Sequence, residues 1–103
     1  MEKNLIKDYL DKLPAKERLQ AYKIRAKIMD DGYIGLKSLP RKMTRQLGGK
    51  LWEIKFLKNR IMYVIRDEEN IYFLHACKKQ KGKAEKFELE KARKRAQELD
   101  LVL

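Results

Sequence analysis

The sequence predicts an α+β fold: an N-terminal helical hairpin packed on a small antiparallel three-strand meander, followed by a C-terminal helix. Three observations carry this. Apolar residues recur at helical spacing as far as Met29. Three strand-length apolar runs, Leu51–Leu57, Ile61–Ile65 and Ile71–Cys77, then follow one another with polar turns between them. A Glu/Lys-rich segment with a thin apolar stripe closes the chain. The 103 residues make a single domain, 1–103, whose core is large enough to hold without staples.

Leu5, Ile6, Tyr9, Leu10 and Leu13 place a short helix at 3–12. Pro14 suits the first turn of a second helix, where its missing N–H costs nothing. That helix runs to about Met29, with Leu19, Tyr22, Ala26 and Met29 as one stripe and Ile24 and Ile28 beside it. Gly32 and Gly35 end it. Residues 36–50 form a connector punctuated by Pro40 and Gly48-Gly49, with room for a helical turn at 41–46.

In the first strand Trp52, Ile54 and Phe56 share a face that packs on a helix, while Glu53 and Lys55 point the other way. Lys58-Asn59 makes the first turn and Asp67–Asn70 the second. Strands two and three are apolar on both faces, which suits central positions in a covered sheet. The last helix runs from Lys83 to about Leu99. Ala84, Phe87, Ala92, Ala96 and Leu99 form its stripe, and its other faces, with Lys91, Arg93, Lys94 and Arg95, are solvated.

Lys and Arg outnumber Asp and Glu by 26 to 15, and the excess is local. Residues 37–66 carry nine cations against Glu53 alone, whereas residues 67–77 carry Asp67, Glu68 and Glu69 and no cation. A basic face points to nucleic acid, an acidic protein or an anionic membrane as partner. No run reaches transmembrane length, and the N-terminus has no secretory apolar region. Cys77 cannot form an internal disulfide and reads as a buried thiol. These features predict a cytoplasmic protein without a membrane partner.

No cofactor motif is visible. His75 and Cys77 alone do not make a zinc site, and Gly48-Gly49 lacks the phosphate-loop pattern. Neither a Ser-His-Asp arrangement nor a paired-acid arrangement can be argued. What remains is cationic: Lys55, Arg60, Arg66, Lys78, Lys79 and Lys81, with His75. The connector adds Arg41, Lys42, Arg45 and Lys50 as a second anion-contacting segment. Such a set is nearly sufficient for cleaving RNA. The ribose 2′-OH is the nucleophile. The protein must align it, move two protons and stabilise charge on phosphorus. Arg holds two phosphate oxygens at once, and crowded lysines exchange protons nearer neutral pH. The same residues could also merely grip phosphates, and the residue chemistry leaves both open.

The segments LWEIKF (51–56), NRIMYVI (59–65) and IYFLHACKKQKGKA (71–84) resemble the RelE/ParE superfamily of type II toxins, most closely its phage-derived, HigB-like group. The resemblance covers residues 15–99, the helices by pattern more than by identity. It implies a metal-independent, ribosome-dependent endoribonuclease that cuts mRNA in the decoding site, touches ribosomal RNA, and is neutralised by a cognate antitoxin. In this branch the antitoxin is a HigA-like helix-turn-helix protein. By motif, Lys55, Arg60, Lys78 and Lys79 fall on the family's basic positions. Arg60 and Lys79 would stabilise the phosphate, and Lys55 or His75 would transfer protons. Arg66, Lys78 and Lys81 would bind RNA, with Arg41, Lys42, Arg45 and Lys50.

Two departures accompany the resemblance. The family's leading β-strand has no counterpart, which predicts an open sheet edge. The C-terminal base-stacking tyrosine is also absent, since Tyr72 is the last tyrosine. Rival readings are a ParE-like gyrase inhibitor, a double-stranded-RNA-binding module with lysines at its last helix, and a plain protein-interaction module.

Overall fold

The computed structural model describes residues 6–67 and 70–101. Residues 3–5 of the expected first helix, and Glu68 and Glu69 of the second turn, lie outside them. The element order is α1 (Lys7–Asp11), α2 (Ala15–Lys37), a 3₁₀ turn (Arg41–Met43), β1 (Thr44–Gly48), β2 (Leu51–Phe56), β3 (Asn59–Asp67), β4 (Asn70–Lys78) and α3 (Lys83–Glu98). The strands form one antiparallel sheet in sequence order. The helical hairpin covers one face and α3 the other, so the α+β class holds, with three layers.

The three-strand meander expected from sequence is corrected to four strands. β1 comes from the connector. Its TRQLG sequence has no apolar run and none of its residues is buried, as suits an edge strand. β1 pairs with β2, so the backbone groups on that side of β2 have partners. The sheet edges are therefore β1 and β4. The third meander strand, β4, is an edge strand although apolar groups cover both its faces.

Alternation along β2 and β3 separates two cores. Ile54, Phe56, Ile61 and Tyr63 pack under α1 and α2 with Leu10, Ile24 and Ile28, and Trp52 joins this face as expected. Leu51, Met62, Val64 and Leu74 pack under α3 with Ala92 and Ala96. Each fully buried large aliphatic contributes roughly 1.5–3 kcal/mol.

The helices differ from the sequence reading in phase. α2 buries Ala21, Ile24 and Ile28, while Leu19, Tyr22 and Met29 lie outside. Its first stretch ends at Gly32, as expected. Gly32 (φ 56°, ψ −130°) turns the chain, and a second helical stretch runs on to Lys37. That stretch packs so closely on the first that a Cβ on Gly35 would stand 2.1 Å from the Lys27 carbonyl oxygen.

The β2–β3 turn is Leu57-Lys58 rather than Lys58-Asn59, with Leu57 at φ 52°. α3 ends in a Schellman motif. Leu101 N–H donates to the Ala96 carbonyl and Asp100 N–H to that of Gln97, with Asp100 at φ 55°. This returns Leu101 into the second core.

Candidate functional site

The sheet face beneath α3 carries the expected basic residues in two adjacent register rows. Arg45, Glu53, Met62 and His75 form one row across all four strands. Lys55, Arg60 and Cys77 form the next. Arg60 and His75 are buried, at 6% and 7% exposure, because α3 lies over them. This corrects the expected phase of α3. Ala84, Phe87 and Leu99 are exposed, and Glu85, Glu88, Leu89, Ala92, Arg95 and Ala96 face the sheet. A strand face bearing Glu53, Arg60 and His75 cannot take an apolar stripe without stranding charge, so the helix turns its polar residues inward.

Two neighbouring networks result. In the first, Arg60 Nη1 donates to Glu85 Oε1 at 2.7 Å and stands 3.7 Å from Glu53 Oε2. Arg45 reaches the same two acids, with Nε 3.0 Å from Glu53 and Nη2 3.2 Å from Glu85. Two guanidiniums and two carboxylates therefore neutralise one another around Glu53, which has no exposed surface. The contacts to Glu53 are charge contacts without hydrogen-bond alignment, and Arg60 Nε has no partner among the described residues. Hydrogen bonds from Arg60 and then Arg45 hold the Glu85 carboxyl below its ordinary range.

In the second network Arg95 Nη1 donates to the Leu74 carbonyl at 2.7 Å and to His75 Nδ1 at 3.1 Å. Leu74 is the extra residue of a β-bulge, where the pairing shifts between Met62 and Tyr63. An arginine only donates, so Nδ1 is the acceptor and the neutral ring's proton sits on Nε2, which donates to Glu88.

Among the described residues His75, Cys77 and Glu88 each bring one potential metal-ligand atom within 4.8 Å of the others. Sequence spacing did not show this third member. Two features oppose a metal there. Binding through Nε2 would put a proton on Nδ1, facing the Arg95 donor. Burial, with Glu88 nearby, also pushes the Cys77 thiol up to about 11, away from the thiolate a metal needs.

The remaining expected residues are dispersed. Lys78 and Lys79 diverge. Lys78 Nζ lies on the hairpin face, 3.5 Å from Glu17 and 3.1 Å from Asn59 Oδ1. Lys79 lies just past β4, exposed, its N–H donating to the Lys58 carbonyl at 2.7 Å. Lys81 is exposed beyond it. Arg66 is exposed six residues along β3 from Arg60, about 20 Å away. Lys50 sits at that same far end in the β1–β2 turn, and Arg41 and Lys42 are exposed on the 3₁₀ turn. Beside the networks, a cleft of about 630 Å³ opens between β1 and the start of α3, lined by Arg45, Leu47, Lys83, Glu85 and Lys86.

The sequence reading missed Glu53, Glu85, Glu88 and Arg95. A signal existed for each. Glu53 is the lone acid among nine cations, and Glu85, Glu88, Ala92 and Arg95 share one helical face at spacings of three, four and three.

The fold and this face define a class: a small α+β protein whose basic sheet face is closed by an acid-bearing helix. The chain belongs to the phage-derived Gp49-like protein family, whose model matches residues 8–97. That family is RelE-type and toxin-like, of the kind met in type II toxin–antitoxin systems. No curated protein matches the chain. No helix among the described residues is long and apolar enough to cross a membrane.

Proposed function

We propose that this chain is the toxin of a type II toxin–antitoxin pair and cleaves mRNA on the ribosome, as the HigB-like proteins it resembles do. One observation carries the reading furthest. The strand register brings Lys55, Arg60 and His75 onto one face, and the groups held against Arg60 and His75 are carboxylates. Glu85 and Glu88 occupy the positions that phosphate oxygens would take, and the first turns of α3 must lift for RNA to enter. Arg60 then exchanges Glu85 for the scissile phosphate and stabilises its developing charge, with Lys79 at the mouth assisting. Once Glu88 withdraws, His75 Nε2 faces the substrate while Arg95 still holds Nδ1. His75 or Lys55 moves the protons between the 2′-OH and the 5′-oxygen. Lys78, Lys81, Arg41, Lys42, Arg45, Lys50 and Arg66 contribute phosphate or ribosomal RNA contacts. A cognate helix-turn-helix antitoxin neutralises the protein.

The test is inducible expression in a bacterial host, with mapping of mRNA 5′ ends. The control is Lys55→Ala/Lys79→Ala, which leaves the buried ion pairs intact and whose folding is checked by circular dichroism. Growth arrest with new cuts in translated messages, lost in the variant, is the expected result. Arrest without cuts would sink the nuclease and favour a gyrase target. No arrest from folded protein would sink the toxin reading and leave a binding module.

A further inference from the structure

The outward face of α2 is apolar in a coiled-coil pattern. Ala15, Leu19, Tyr22, Ala26 and Met29 follow one another at alternating steps of four and three, and all are exposed. Leu19 is 56% and Met29 69% accessible, while the opposite face of the helix is packed in the core. The stripe runs about 21 Å, long enough for two heptads of a partner helix. A continuous apolar stripe rimmed by charge marks an interaction surface rather than a solvated face.

The rim says what the partner is. Lys16 and Lys23 flank one side and Arg18 and Arg25 the other. None of the four forms an ion pair among the described residues. Among the described residues the Arg18 guanidinium hydrogen-bonds only the Asp11 backbone carbonyl, at 3.4 Å. Two acids border the stripe: Asp11, which accepts the Tyr22 hydroxyl, and Asp30 near its end. In a helix pair these flanking positions face the partner's flanking positions in either orientation. A second copy would set cation against cation. Ala15 and Ala26 stand among the larger Leu19, Tyr22 and Met29, leaving holes for a partner's side chains, which a lipid surface does not require.

We propose that this face docks an amphipathic helix of another chain whose apolar stripe is flanked on both sides by Glu or Asp. The surface lies on the opposite side of the sheet from the Arg60 and His75 networks, so the inference does not depend on the nuclease reading.

The probe is a synthetic helical peptide of about three heptads, with Leu at the core positions and Glu at the flanks. Fluorescence anisotropy should give 1:1 binding, with backbone NMR shifts confined to α2. Affinity should fall at least tenfold in Leu19→Ser/Met29→Ser, which changes no charge and removes only exposed groups. A peptide of equal charge with Ser for Leu, and one with Lys flanks, should not bind. Equal binding by either control peptide, or by the variant, would overturn the proposal. So would no binding at all. A dimer by light scattering that the variant dissolves would assign the face to a second copy. Sedimentation with anionic vesicles in place of peptide binding would assign it to a membrane.

Discussion

At the scale of the residue, the decisive feature is a buried acid among cations. Glu53 sits fully enclosed between Arg45 and Arg60, and its cost is met only while both guanidiniums stay in place. Removing one partner of a buried pair leaves an uncompensated charge, which typically costs roughly 3–5 kcal/mol. Arg60→Ala should therefore lower stability by about that amount in urea denaturation. Glu53→Leu/Arg60→Leu, which removes both charges, should recover most of the loss. A double variant as unstable as the single one would show that the pair is not the cause. Leu57 raises a different point. It holds φ 52° in a two-residue turn and is 55% exposed, so its side chain gains little from burial. Left-handed backbone costs an L-residue about 1–2 kcal/mol, and Leu57→Gly should raise the unfolding midpoint accordingly.

At the scale of the element, α3 is attached by charge as much as by packing. Ala92 and Ala96 let it lie close on the sheet, and Glu85, Glu88 and Arg95 bind it to strand residues. This makes its docking pH-dependent. The Glu85 carboxyl is held below its ordinary value of 4.5 by Arg60 and Arg45. A group with a depressed folded pKa contributes its full stabilisation above the unfolded value and loses it as pH falls through the folded one. Below about pH 4.5, amide exchange along α3 should accelerate before that of β2 and β3 does. Glu85→Gln should remove that part of the pH dependence. Uniform acceleration across the whole sheet would argue against a helix-specific anchor.

At the scale of the molecule, a net charge of +11 is divided between internal neutralisation and outward display. Arg45, Arg60 and Arg95 are spent on contacts within the fold. Lys79, Lys81 and Lys83 are exposed at one end of the sheet, beside the mouth of the proposed site, and Lys78 is exposed at the same end on the hairpin face, beside Glu17. If these four contact single-stranded RNA, the logarithm of affinity should fall with that of salt at a slope of about −3. That is a loss of about 50-fold between 50 and 200 mM. Filter binding measures this, and a flat salt response would remove the lysines from the RNA surface.

The sequence alone determined the strands and the last helix, because their signals are local. Alternation in LWEIKF and the continuous apolar runs of β3 and β4 depend only on neighbours along the chain. It also showed that the Trp52, Ile54 and Phe56 side of β2 would meet a helix, though not which one. It did not show β1, whose TRQLG is a strand only because β2 offers an unpaired edge. Nor did it show which of two apolar stripes α2 would bury, since both satisfy the same period. The candidate basic residues were legible as types. Their grouping was not. The pairing that unites Arg45, Glu53 and His75 in one row spans four strands, and the turn of α3 that brings Glu85, Glu88 and Arg95 onto them follows from charge neutralisation across the layers. Tertiary structure decided these because burying a charge is tolerable only beside its opposite, and that opposite lies far away in the chain.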